Sequence, residues 1–163
     1  MKGDLLRLTQ YSTLLAPASQ NGAFVTGDFD LTSVFEALIL LTTGALGGAT
    51  TLAVTMTQKD SLGNYVNLTD ANGNTLTAAA FLLAAAKTYV VRIDARALRA
   101  GPAVAPGAVY IPTVQLSCTA AVSTVIIGAV GVKGSRREVN RGLGEVPAAY
   151  PLLELSPQHA LMS

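Results

Sequence analysis

Charge is what this sequence has least of. Asp, Glu, Lys and Arg make up 13% of its 163 residues, where an average soluble protein has about 25%. Half of the residues are hydrophobic, and the formal net charge is +1. A balance so near zero gives no case for nucleic acid or for an acidic substrate, and no long basic patch supplies one. So little charge cannot keep a bare surface soluble, so the chain is expected either in a membrane or largely covered by other chains. Tryptophan is absent, and aromatic residues reach only 6%. There is one histidine, His159, near the end and among no other ligands, so a two-ligand metal site within one chain is not available. The single cysteine, Cys118, excludes an internal disulfide and reads as a small buried core residue.

Catalytic chemistry is missing for the same reasons. The serines lack a supporting base. Asp28 and Asp30 lie two apart on a turn, and a glycoside-cleaving pair would need an aromatic cleft. Gly44, Gly47 and Gly48 form neither a dinucleotide fingerprint nor a phosphate loop. Asp70-x-Asn72-x-Asn74 imitates the start of a calcium loop, but its glycine falls at the fourth position and no glutamate closes it. The expectation is a non-enzymatic protein without metal or cofactor.

Two uncharged stretches, 37–58 and 100–132, are long enough to cross a bilayer of roughly 20 residues as helices. The first carries three glycines and many threonines, the second Pro102, Pro106 and Pro112, so both read as β-structure. A membrane barrel would need more strands than one copy offers. At the start, Asp4 and Arg7 interrupt any secretory core, so the protein is expected to stay where it is made unless it travels inside a larger particle.

What is present is two-residue alternation. Leu52, Val54 and Met56 alternate with Thr51, Ala53, Thr55 and Thr57, which gives one apolar face and one lined by Thr and Ala. The segment 34–58 reads as a strand, a turn at 43–48 whose glycines take positive φ cheaply, and a second strand across that turn. A helix over 34–41, capped by Ser33 with Glu36 three residues on, is the competitor. The cluster 59–64 predicts a hairpin tip before a short strand at 65–68. The run 77–87, TAAAFLLAAAK, has the best helix-forming composition of the chain; a loop with one helical turn is the alternative. Tyr89, Val91 and Ile93 face one side of a strand, Arg92 and Asp94 the other. A loop over 95–107 leads to a strand at 109–117, edge-placed or bulged at Pro112. Ala120 to Ser123 is expected to turn the chain, so that 124–132 pairs back with Ile126, Val130 and Val132 inward.

This gives a mainly β fold, an antiparallel sandwich or jelly-roll-like domain of about seven or eight strands over 22–133, flanked by arms at 1–21 and 134–163. Apolar residues on an arm must be buried on something, either the arm's own domain or a neighbouring subunit. Leu5, Leu6, Leu8, Tyr11 and Leu14 of the first arm are the candidate partner contacts, as are Arg136, Arg137, Arg141, Tyr150, Leu152 and Leu153 of the second. In the second arm Pro147, Pro151 and Pro157 favour an extended chain.

The order of segments is specific. Leu-Leu-Thr-Thr-Gly-Ala-Leu-Gly-Gly (40–48) is followed by Thr-Thr-Leu-Ala-Val-Thr-Met-Thr-Gln-Lys-Asp-Ser-Leu-Gly-Asn-Tyr (50–65). Lys-Thr-Tyr-Val-Val-Arg-Ile-Asp (87–94) and Ala-Val-Gly-Val-Lys-Gly-Ser-Arg-Arg-Glu (129–138) come next. Over about Gly22 to Arg137 this resembles small structural proteins of tailed-bacteriophage virions. The resemblance implies a head decoration, or cement, protein bound to the outside of the major capsid protein lattice, with copies of itself as a trimer. It implies no nucleic acid and no membrane partner. A tail, neck or spike-base component is the first alternative, and a carbohydrate- or host-surface-binding module the second.

Overall fold

The structure is a computed structural model that describes residues 10–70, 72–134 and the backbone of 155–158. Nine strands follow in order: β1 Gln10–Val25, β2 Phe29–Asp30, β3 Glu36–Leu46, β4 Thr51–Asp60, β5 Tyr65–Asn67, β6 Thr77–Leu82, β7 Thr88–Asp94, β8 Tyr110–Lys133 and β9 Leu155–Gln158. All pairings are antiparallel. The chain is mainly β, as its alternation requires. Its strands are hydrogen-bonded into a single curled sheet.

β8 is the spine. Along one side it pairs with β3 (Ala37↔Lys133 to Leu46↔Val125) and then with β4 (Thr51↔Ala121 to Asp60↔Tyr110). Along its other side run β1 and β2. β6 and β7 continue one another in the same way, pairing with β4 and β3 respectively. β3 and β4 therefore lie end to end against β8, where the sequence suggested that they pair across a turn. The 44–50 segment is a bend within one long ribbon. Its glycines are needed for close approach and not for left-handed backbone, since none of the three has positive φ. A Cβ on Gly47 would lie 2.5 Å from the Thr124 hydroxyl, and one on Gly44 3.1 Å from Ile126 Cβ. The Thr50 hydroxyl, buried at the bend, donates to the carbonyls of Ala121 and Ser123.

β8 crosses this bend without turning, against the turn expected at 120–123. Before the bend Val114, Leu116, Cys118 and Ala120 are buried; after it Val125, Ile127 and Ala129 are. The inward positions change from even to odd. An extra residue in a strand moves every later side chain to the opposite face. That is why Ile126, Val130 and Val132 point outward, reversing the orientation expected for them; Ile126 is 41% exposed.

The curl brings the two halves of β8 together. Phe29 of β2 pairs beside Val114, yet its ring lies over Gly131. At the same edge the Gly27 N–H donates to the Leu14 carbonyl at 2.6 Å. One apolar cluster fills the concavity, with Phe29, Ile39, Leu41, Leu52, Met56, Val91 and Leu116 among its members. Complete burial of such a side chain contributes about 1.5–3 kcal/mol.

Three local readings change. Residues 10–21, expected in an arm, belong to β1, and Leu14 lies in the core. The alanine-rich segment is strand β6 rather than helix, because pairing with β4 outweighs intrinsic helix preference. Its chain then turns at Ala84–Lys87, held by Thr43, whose hydroxyl donates to the Ala84 carbonyl at 2.6 Å and whose N–H donates to the Lys87 carbonyl at 2.8 Å. Pro112 sits in a central strand, where the register between β4 and β8 slips between Gln58 and Asp60, so of the two placements expected it is the bulge.

Candidate interaction surface

The half of the sheet formed by β1, β3, β7 and the end of β8 carries large apolar side chains on both faces. Ala37, Ile39, Leu41, Tyr89, Val91, Ile93, Ile127 and Ala129 fill the core face. On the other face the register places Tyr11, Val132, Leu38 and the exposed Arg92 in one row and Thr13, Val130, Leu40 and Val90 in the next. The six apolar ones lie outside the core cluster, although Val90 is buried. An antiparallel sheet with one face on water ordinarily alternates apolar with polar residues. Here the alternation fails because both parities carry large apolar side chains. Tyr11 remains 64% exposed.

The two borders of this half differ. β1 is irregular, with register shifts between Thr13 and Leu15, between Leu15 and Ala18, and between Gln20 and Gly22. A Cβ on Gly128 would come within 3.1 Å of Pro17 Cγ, so the proline lies against this glycine. Bulges and proline discourage further strand addition. β7 is regular from Thr88 to Asp94 against β3, and its far side carries β9 (Thr88↔Gln158 to Val91↔Leu155).

Of the partner contacts read from the sequence, Tyr11 lies on the outer face and Leu14 is buried in the chain's own core. Leu5, Leu6, Leu8, Arg136, Arg137, Arg141, Tyr150, Leu152 and Leu153 lie outside the described residues, as does His159. Sequence reading passed over Leu38, Leu40 and Val90, although their signal was visible: apolar residues at consecutive positions where alternation predicts polar ones.

Polar chemistry gathers at the other end. Lys59 Nζ meets Asp28 Oδ2 at 2.6 Å, and the Tyr65 hydroxyl donates to Asp28 Oδ1. Two turns repeat one motif, Asp-x-x-Gly-Asn, at 60–64 and 70–74. In each the aspartate Oδ1 accepts the N–H groups two and four residues on, at 2.8–2.9 Å, and Oδ2 accepts from the asparagine side chain, at 3.0 and 3.1 Å. Gly63 and Gly73 supply the left-handed backbone, at φ +89° and +86°. The calcium-like spacing at 70–74 is thus a turn clasp whose carboxylate is turned to its own backbone. Among the described residues no three His, Cys, Asp or Glu side chains come together as a metal site, and no helix is long and apolar enough to cross a membrane. Cys118 is buried, and burial pushes its thiol up to about 12.

These carboxylates give stability a pH dependence. Hydrogen bonds from Lys59 and then Tyr65 hold Asp28 below its usual range, those from Thr32 hold Asp30, and that from the Arg96 guanidinium holds Asp94. Asn64 and Asn74 act in the same way on Asp60 and Asp70. A carboxyl depressed in the folded state contributes stability above its unfolded value, near 4, and loses it as pH falls through the folded value. Urea midpoints are therefore expected to stay level from about pH 7 to 5 and to drop below about pH 4; a midpoint unchanged at pH 2 would contradict these bonds.

No protein-family model matches the chain, and no curated protein and no solved structure matches it either.

Proposed function

We propose that this protein is a structural subunit of a tailed-bacteriophage virion: a decoration protein that binds the outside of the major capsid lattice as a trimer and stabilises the head. The observation that carries the reading is the sheet half with Tyr11, Leu38, Leu40, Val130 and Val132 on its outer face and a packed core on its inner one. Such a slab, in a chain with 13% charge, suits a subunit walled in by neighbours. The choice of assembly rests on the resemblance in segment order to virion proteins noted in the sequence. The mechanism is mechanical. Apolar area buried against several neighbours opposes expansion of the shell, and contacts weak one at a time add up when many sites are linked.

The test is direct. Purified protein is mixed with heads lacking it, unbound protein is removed by sedimentation, and the particles are imaged. Regular density on the outer shell, with heads that rupture at higher temperature, is the expected result. Density at the tail or neck, or protein left wholly in the supernatant, overturns it. Any N-terminal truncation compared in this assay should stop at residue 9, because β1 begins at Gln10.

A further inference from the structure

We infer that Asn21–Gly22 is a site of spontaneous backbone modification, where the asparagine closes on the glycine nitrogen and reopens as aspartate or isoaspartate. The chain's second Asn-Gly pair, Asn72–Gly73, is held against the same reaction. The sequence has these two pairs and no others. The chemistry favours glycine as the next residue, because a Cβ there would shield the backbone nitrogen that attacks.

In the ring closure the Gly22 nitrogen bonds to Cγ of Asn21 and the Cγ–Nδ2 bond breaks. The Asn21 amide nitrogen leaves as ammonia, taking the hydrogen of the Gly22 N–H. Water then adds to the cyclic imide. Attack at Cγ restores the ordinary backbone and leaves an aspartate. Attack at the main-chain carbonyl carbon of Asn21 leaves the chain running through the side chain, as isoaspartate, lengthened by a carbon. No oxidant or reductant takes part, and either product carries an added negative charge.

Space does not tell the two pairs apart. Both asparagines are exposed. Both glycines take left-handed backbone, at φ +81° and +86°, with nothing within 4 Å of where a Cβ would stand. Restraint does tell them apart. The Asn72 N–H donates to Asp70 Oδ1 at 2.8 Å, the Gly73 N–H to the Asp70 carbonyl at 3.0 Å, and the Asn74 N–H to Asp70 Oδ1 at 2.9 Å. The nitrogen that would attack is thus itself a donor within the clasp. Swinging it onto Cγ of Asn72 breaks its own bond and pulls on those at either side. Asn21 is placed differently. Gln20 lies opposite Val125 and Gly22 opposite Ala120, so residues 121–124 of β8 pass a single residue of β1. That residue is Asn21, which has no partner of its own in the ladder. The chain at such an irregularity distorts at less cost than a bonded turn.

The experiment keeps the full chain folded in mildly alkaline buffer and samples it over time. Peptide mapping by mass spectrometry follows residues 21 and 72 separately, and a parallel sample in urea gives both rates without any folded restraint. In the folded chain Asn21 is expected to convert about tenfold faster than Asn72, the rate equivalent of one or two backbone hydrogen bonds broken on the way to the ring. In urea the two should convert at similar rates. Asp70→Ala removes the clasping carboxylate but leaves residues 72 and 73 in place, and should speed conversion at Asn72 severalfold. Equal rates at the two sites in the folded chain overturn the inference. So does an Asn21 that stays intact when folded yet converts in urea, or an Asp70→Ala variant whose Asn72 stays as slow as the parent's. No shell or partner enters the assay, so its outcome is separate from that of head binding.

Discussion

Replacing Gly131 by alanine is expected to lower the free energy of unfolding by about 1–3 kcal/mol, the range for forcing an extra carbon into a filled core. Its Cβ would fall 2.6–2.9 Å from three atoms of the Phe29 ring. That ring is 1% exposed and has nowhere to retreat. Phe29→Ala in turn leaves a large cavity and should cost about 3–5 kcal/mol. The two positions touch, so their effects should not add: Phe29→Leu combined with Gly131→Ala should be less damaging than the sum by more than about 0.5 kcal/mol. Urea unfolding of the four proteins measures this cycle. Strict additivity would show that the curl does not press β2 onto the far half of β8.

Gln58→Leu is the second large loss. Gln58 is buried on β4, at 1% exposure. Its amide donates to the carbonyls of Arg99 and Ile111 at 3.1 and 3.0 Å, and its oxygen accepts the Arg99 N–H at 2.9 Å. Two of these hydrogen bonds pin Arg99, in the loop after β7, to the sheet, and the third ties β4 to Ile111 of β8. Leucine fills the volume but leaves backbone groups without these partners, at a cost of about 2–4 kcal/mol. Gln58→Glu keeps the acceptor, loses the donor and buries a charge, so it should be no better than leucine at neutral pH. Unfolding midpoints of both variants, with protease cleavage between Leu98 and Val109 as a local readout, test the point. A midpoint within error of the parent would show that the loop needs no such anchor.

Much of this architecture was legible in the residues. Alternation at 51–57 and 89–94 marked the buried faces of β4 and β7, because a half-buried strand repeats every two residues whatever its partners are. The helix competitor at 34–41 lost because the segment from Glu36 pairs along both edges, with β7 and with β8. What was hidden was long-range. Nothing local distinguishes a glycine-rich bend inside a ribbon from a turn that reverses it; the difference lies in β8, more than sixty residues away, which both β3 and β4 follow. Val125 and Ile126 are equally apolar, so the residue gained at the bend could not be seen and every later side chain was assigned to the wrong side. The preference of 77–82 for helix was real, yet an open edge on β4 offered more. Of the candidate surface, Tyr11 was legible; the consecutive apolar residues around Leu38, Leu40 and Val90 signalled a second apolar face, but which of them point outward needs the register.

The central strand is also among the last to be made. β1, β2, β3 and β4 each pair with β8, and Gln10 meets Lys133. During synthesis β3 can pair with β7, and β4 with β5 and β6, but β1 and the β8-facing edges of β3 and β4 have no template until β8 has left the ribosome. Pairing so distant in sequence is slow, and unpaired strands are prone to aggregate while they wait. Production of this protein is therefore governed by the timing of one late segment, and slower, cooler translation or a holding chaperone should raise the soluble yield.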